Sequence, residues 1–449
     1  MKRFSILLSI LLAMSQQAQA FDFGLIIDNT TTLEATDVNN LFFQKDKGTL
    51  WMNFDISDTA FFAIQGNGTF VLQEPYFTYG FDQAELTMDF PVIGQSSFLF
   101  GFTAGRFYVS DFTGFVLTHN MDGARLVYKN PWLNSYIAVG FTGFLFKADS
   151  TILMSIEDKN YEPSFLPLAP PRLIGLMEFN FPEVFAYQTL DISIVGQLDM
   201  HSTDMVKDEG DTAWDISNGG KIDTLYAGIG LQGQLAENFF YESFFIFETG
   251  RTLASQESVT PGNRVYTYVP IYAFMGGFKL SLFFPEFLAS ELTLTAVGSS
   301  GDADYETYLE GNYDDYSIQF SPISRPTIGL VFPQQMTNLI IVELEYSMKP
   351  FSGAVGTIWE KYQMLFQAIG YFRSSLSDIS NSEGLNSGSE DYYLGTEVDF
   401  INNFKPFADL GMSLALGVFL PNNYTEDSAF TPDSKGIDFT VRFQLSFEI

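Results

Sequence analysis

The sequence predicts an all-β fold: a transmembrane antiparallel up-and-down β-barrel of about 18 strands, with short turns at one end and long loops at the other. Three observations predict it. Apolar residues recur at every second position in segments of roughly ten residues along nearly the whole chain. Beyond the N-terminus no uninterrupted run of ~18 apolar residues could cross a bilayer as a helix. The N-terminus itself carries an export signal. A closed barrel is the one sheet that can sit in lipid, because it leaves no unpaired edge.

The export signal reads Met1-Lys2-Arg3, then the apolar run Phe4 to Met14, then a polar stretch ending in Ala18-Gln19-Ala20. These are a basic start, a short apolar core and an Ala-x-Ala cleavage site. The division expected is a cleaved signal over residues 1–20 and a single barrel domain over 21–449. No Cys follows the apolar core, which argues against a lipoprotein.

Composition excludes several classes. The 449 residues contain 54 Asp and Glu against 22 Lys and Arg, a net charge of −32, and no Cys. Disulfide scaffolds, Cys-ligated metal sites and thiol enzymes are therefore ruled out. The acid surplus argues against a nucleic-acid partner. With 46% hydrophobic residues, 48 Phe and 22 Tyr, the chain is not disordered.

The last segment shows the alternation most plainly. From Phe439 to Ile449 one face is Phe439, Val441, Phe443, Leu445, Phe447 and Ile449, and the other is Thr440, Arg442, Gln444, Ser446 and Glu448. The same pattern runs through Ala84–Phe90, Leu190–Asp199, Leu225–Leu235, Ile340–Met348, Tyr392–Phe400 and Ala408–Leu420. With the export signal and the aromatic C-terminal segment, these strands make the chain resemble the outer-membrane β-barrel proteins of Gram-negative-type bacteria. The resemblance implies a bacterial outer-membrane location, with outer-membrane lipid around the barrel. It implies an insertion signal at Phe439, Phe443, Phe447 and Ile449, read by the barrel assembly machinery through the C-terminal strand. Such signals usually end in Phe or Trp; this chain ends Phe447-Glu448-Ile449.

Turn chemistry sets the strand count at 16–18. Short periplasmic turns are expected at residues 57–59, 91–96, 130–134, 182–188, 236–238, 285–289, 333–338 and 402–406. Long outer loops are expected to begin near Asn29, Glu74, Asp111, Ala148, His201, Ala254, Gly301, Phe351 and Pro421. Eight turns and nine loops make 18 strands, an even number. Phe-Pro pairs at Phe90-Pro91, Phe181-Pro182, Phe284-Pro285 and Phe332-Pro333 each coincide with an expected short turn. One region departs from period two: Trp359, Tyr362, Phe366 and Ile369 fall closer to helical spacing. It reads as part of a long loop over 351–390, folded into the lumen or standing above the membrane as a hairpin.

If the apolar faces look at lipid, the others line a lumen. The expected inward acids are Asp55, Glu85, Asp89, Glu178, Asp191, Asp199, Glu291, Glu343, Glu345, Glu397, Asp399, Asp409 and Glu448. The inward bases are fewer: Arg125, Lys129, Lys279 and Arg442. Such a wall favours cations over anions. Gly105-Arg106-Phe107 followed by Asp122-Gly123-Ala124-Arg125-Leu126-Val127-Tyr128 is similar to a segment of alginate-export-type porins. That resemblance implies 18 strands and places Arg106 and Arg125 as lumen-lining cations. A polyanion pathway needs many more cations than this wall supplies.

No catalytic or cofactor constellation is expected. His119 and His201 lie in expected outer loops without a nucleophile signature and read as solvated. Asp302, Asp304 and Glu306 could offer oxygens to a divalent ion but lack the pattern of a calcium loop, and read as a solvated acidic loop. The expected function is a porin for passive diffusion of small hydrophilic solutes, neutral or cation-preferring, and not an enzyme. The alternatives are a substrate-specific saccharide channel and a barrel-anchored surface binding or adhesion protein.

Overall fold

Alternation gives every segment one apolar face and one row of unpaired backbone groups on each edge, and a ring of such strands satisfies both. The computed structural model shows that ring. It describes residues 20–36, 40–72, 76–91, 99–154, 158, 168–202, 220–257, 264–303, 316–324, 327–380, 382–386 and 388–449. The expected signal therefore lies outside the described residues apart from Ala20, as do Asp304 and Glu306 and all but Pro91 of the expected turn at 91–96.

The first strands are β1 (Ala20–Ala35), β2 (Asn40–Ser57), β3 (Ala60–Val71), β4 (Tyr76–Pro91), β5 (Leu99–Ser110) and β6 (Thr118–Asn130). Then come β7 (Leu133–Phe141), β8 (Arg172–Phe185), β9 (Gln188–Asp199), β10 (Asp223–Ala236), β11 (Phe239–Glu257) and β12 (Arg264–Phe284). The last are β13 (Ser290–Ser299), β14 (Leu339–Met348), β15 (Tyr362–Arg373), β16 (Tyr393–Phe407), β17 (Leu410–Pro421) and β18 (Asp438–Glu448). They form one 18-stranded sheet in which each strand pairs antiparallel with its chain neighbours. Pairing of β1 with β18, from Ile26 opposite Glu448 to Ala35 opposite Phe439, closes it. Leu25 and Ile449 extend this seam by exchanging backbone hydrogen bonds of 3.0 and 2.9 Å.

The two faces are as alternation requires. On β18, Phe439, Val441, Phe443 and Phe447 are 37–51% exposed while Thr440 between them is 3% exposed. The apolar belt is thus on the outside.

The interior differs from a simple polar pore. Among the described residues, at least two segments from the long-loop end fold into it. The first is the tip of the β5–β6 hairpin. β4 pairs with β5 only as far as Arg106, and β7 pairs with β6 only from Asp122. Beyond these points, residues 107–121 pair only with each other, as Phe107 with Met121 and Ser110 with Thr118. This tongue leaves the wall and crosses to β10, where Phe112 rests on Gly230; a Cβ at Gly230 would lie 2.5 Å from the Phe112 ring. The second is the stretch 316–338 before β14. Phe320, Ile323, Phe332 and Met336 are all 1% exposed or less, and Ile323 and Ser324 donate their N–H groups to the Val116 carbonyl of the tongue. Phe332 stacks on Phe419 of β17 at 4.2 Å between centroids and meets Tyr371 of β15 edge-on at 5.3 Å. An apolar core therefore lies inside the barrel as well as a belt outside it.

These insertions correct several boundaries. Residues 333–338 are not a short turn: Pro333 lies in the inner segment, because Phe-Pro breaks a ladder in a folded loop as well as in a hairpin. The strand expected before Pro333 is absent, and Tyr362–Arg373 is a strand, β15, not part of a loop over 351–390. The two errors cancel, so the count remains 18. The helical spacing there has a local cause: Ile358–Lys361 is one 3-10 turn that runs directly into β15. Residues 349–361 are instead a turn at the short-turn end. β16 continues to Phe407 through a bulge, so its turn falls at 408–409 and not 402–406. β1 passes Asn29 and runs to Ala35, and β11 passes Ala254 and runs to Glu257.

The assignment of faces predicts opposite outcomes for adjacent residues of β18. Phe443→Arg puts a charge into the belt and destabilises the barrel by about 2–4 kcal/mol. Gln444→Arg, which points inward, is tolerated. Urea unfolding in phospholipid vesicles measures both, and equal losses would overturn the assignment.

Candidate functional site: the barrel interior

The tongue is built at its root. Gly105 has φ +128° and packs so tightly on β4 that a Cβ there would lie 2.1 Å from the Ala84 carbonyl, a position only glycine can hold. Arg106 beside it donates to Asp122 twice, Nε to Oδ1 at 2.9 Å and Nη2 to Oδ2 at 2.7 Å. It also donates to the carbonyls of Phe81 at 2.9 Å and Phe144 at 3.2 Å. The Gly-Arg and Asp-Gly pairs of the sequence are thus the hinge of the tongue, and Arg106 is engaged there as a brace.

Polar backbone inside a barrel needs partners, and wall carboxylates supply them. Glu397 on β16 is fully buried and accepts the N–H groups of Leu330 at 2.5 Å, Val331 at 2.9 Å and Phe332 at 2.9 Å, with the Tyr371 hydroxyl at 3.2 Å. Glu248 on β11, also fully buried, accepts Ser321 N–H at 2.8 Å. Tyr226 of β10 donates to the Ser321 carbonyl. At the tip of the tongue Asp111 accepts Leu117 N–H at 2.8 Å, Thr113 N–H at 2.9 Å and Val116 N–H at 3.0 Å. Burial pushes its carboxyl above the usual range, opposed by these donors.

The expected inward residues fall into three groups. The first faces the interior from the wall. Glu85 lies 3.8 Å from Arg125, whose guanidinium sits over the Phe107 ring. Lys129, Asp89 and Arg442 lie on the inner faces of β6, β4 and β18. Asp191 accepts from Asn180 at 2.7 Å and Gln232 at 2.9 Å. Lys279 lies 3.7 Å from Glu242. Glu343 accepts from Gln367 at 2.8 Å, and Glu345 follows on the same face of β14. The second group is sealed: Glu397 by the inner segment, and Asp399, 2% exposed, under Leu330 and Val331. Asp199 is sealed too, bonded to Arg172 and, at 2.7 Å, to His201. The third is off the wall: Asp409 is exposed in the turn between β16 and β17. Sequence periodicity could not separate these groups, because what covers a strand's inner face is remote in the chain.

Both histidines correct the expectation of solvated loops. His119 is 2% exposed and its Nδ1 lies 2.9 Å from the Thr151 hydroxyl. His201 is 7% exposed and its Nε2 lies 2.9 Å from Asp158, which also takes Arg172 at 3.1 Å. Asp302 is likewise buried rather than solvated, accepting Ile318 N–H at 2.9 Å. Among the described residues no group of His, Asp and Glu is arranged to hold a metal. Arg172, Glu248 and Tyr226 carry no sequence signature of their inner roles. The paired glycines Gly228 and Gly230 on the inner face of β10 were the available signal, since small inward residues leave room for an inserted loop.

Recesses remain, two beside the tongue and one against the wall of β1, β2, β17 and β18. One, of about 410 Å³, is lined by Tyr108, Ser110, Lys129, Tyr136, Glu178 and Asp191. A second, of about 300 Å³, lies across Phe112 against Gln232, Glu242 and Lys279. A third, of about 490 Å³, is bordered by Asp28, Lys45, Lys47, Ser413 and Gln444.

No family model matches the sequence, and no curated protein matches it. The fold nonetheless has solved counterparts: the closed barrel is similar to those of Pseudomonas outer-membrane porins of the OccK and OpdO kind. Pseudomonas aeruginosa OccK5 (OpdH) superposes with a TM-score of 0.54 at 12% identity, covering 96% of this chain and 99% of that one. Pseudomonas aeruginosa OpdO gives 0.54 at 12% identity, covering 96% and 98%. OccK2 (OpdF) of the same organism, crystallised with glucuronate, gives 0.54 at 9% identity, covering 96% and 98%. At such identities the likeness concerns the fold.

The clamp on the inner segment predicts a local response. Glu397→Ala deprives three N–H groups of their acceptor, at a cost of about 1.5–3 kcal/mol for a charge-assisted bond. Hydrogen exchange at Leu330, Val331 and Phe332 then accelerates while the β16 amides stay protected. Unchanged exchange at the three would show that the carboxylate does not hold the segment.

Proposed function

We propose that this chain is an outer-membrane channel for passive diffusion of small hydrophilic solutes, with a preference for neutral or cationic ones. In this reading the signal is removed on export, and the outward aromatic residues of β18 guide insertion by the barrel assembly machinery. One observation carries the charge preference. Some of the acids are spent on backbone clamps, as Glu397, Glu248 and Asp111 are, yet Glu291, Glu343 and Glu345 stay on the inner wall of β13 and β14. Among the described residues no Lys or Arg lies within ion-pair distance of them. Carboxylates without an ion-pair partner at a water-filled wall attract cations.

A second reading, a saccharide-specific channel, is favoured by the recess under the tongue. Its aromatic rings, Tyr108 and Tyr136, lie near the amides Asn134 and Asn180, a mixture suited to a polar ring with apolar faces. The solved neighbour OccK2 (OpdF) was crystallised with glucuronate, which is a property of that protein.

Planar-bilayer recording tests both. In a KCl gradient the reversal potential favours cations, and Glu343→Gln with Glu345→Gln moves it toward zero. Anion preference in the unaltered chain, or no conductance, would overturn the reading. Current block by a neutral sugar, lost in Tyr136→Ala, would select the saccharide channel instead.

A further inference from the structure

Apart from residues 349–361, the described turns at the short-turn end are short, two residues as at 58–59, 131–132, 237–238 and 408–409 and five at 285–289. Residues 349–361 are long and ordered. Ser352 N–H bonds to the Lys349 carbonyl at 3.0 Å, Ala354 N–H to Phe351 at 2.9 Å and Gly356 N–H to the Glu360 carboxylate at 2.8 Å. The turn folds back against the outside of the barrel: Trp359 stacks on Phe404 at 5.2 Å and 16°. Phe404 shares the outer face of β16 with Val398 and Phe400, and Phe400 stacks on Phe366 of β15 at 4.7 Å. Phe351 completes the cluster, 5.7 Å from both Trp359 and Tyr362.

Its own apolar side chains are left uncovered. Val355 is 77% exposed, Trp359 50%, Phe351 44% and Ile358 43%. They continue the belt toward the short-turn end, and exposed Lys349 and Lys361 flank them, in a chain with few lysines. An indole beside ammonium groups at the edge of an apolar belt is the chemistry of a membrane interface.

We propose that the turn 349–361 is a membrane-interface anchor, seated among the phospholipid headgroups of the periplasmic leaflet. It inserts Phe351, Val355, Ile358 and Trp359 toward the acyl chains and sets Lys349 and Lys361 against the phosphates. The anchor fixes the height of β14 and β15 in the bilayer. A second copy of the chain is a competing occupant, but two apposed turns would bring like charges together, whereas a phosphate surface neutralises them. The proposal rests on the reading of the barrel as membrane-spanning.

A single-tryptophan chain tests it. In a background of Trp51→Phe, Trp132→Phe and Trp214→Phe, Trp359 is the only fluorophore of its kind. In vesicles of phosphatidylcholine and phosphatidylglycerol, its emission is blue-shifted. Lipids brominated near the headgroup quench it more strongly than lipids brominated near the chain ends. Water-like emission that bromine does not quench overturns the proposal, as does quenching that appears only at protein densities where copies associate. A chain with Trp359→Phe and Phe245→Trp reports the belt itself, from an outer-face position on β11. Quenching of that reporter without quenching of Trp359 refutes the anchor alone. Loss of quenching at both refutes the membrane-spanning reading.

Discussion

Everything in this molecule depends on closing a ring of backbone hydrogen bonds. In hydrocarbon an unpaired N–H or carbonyl costs several kcal/mol, so a sheet there tolerates no edge. The seam between β1 and β18, extended by Leu25 and Ile449, removes the last edge. Once the ring is closed, side-chain alternation sends Phe and Leu outward without further choice, and the polar rows inward.

A ring this wide leaves space inside, and the chain fills part of it. Inserted backbone brings the same obligation to the interior that closure solves at the wall. The carboxylates of Glu397 and Glu248 meet it by accepting N–H groups from segments remote in sequence. Part of the net charge of −32 is therefore structural. The acid-rich wall is scaffold at Glu397; in the function proposed above, Glu343 and Glu345 supply its electrostatic surface.

The inward tongue shows how one short motif can be misassigned in role while correctly singled out. The resemblance implies Arg106 and Arg125 as lumen cations; Arg106 instead braces the hinge at Gly105 by pairing with Asp122. Arg125 does face the interior, over Phe107. The difference lies in where the hairpin leaves the wall, and that depends on β4 and β7 ending their pairing at Arg106 and Asp122.

The sequence by itself determined the strand periodicity and the apolar belt, because both follow from local alternation; the strand number came out even only because a strand expected before Pro333 and the unexpected β15 offset each other. Phe439 to Ile449 could be read as a two-faced strand from its own residues alone. What tertiary structure decided is which breaker is a turn and which inward acid is free. Pro333 and the turn at 285–289 look alike locally, yet one lies in the interior and the other joins two strands. Glu345 and Glu397 have the same pattern around them, yet only Glu397 is covered by a loop. The reason is physical: alternation reports which face a side chain is on, whereas burial depends on what else the folded chain brings to that face.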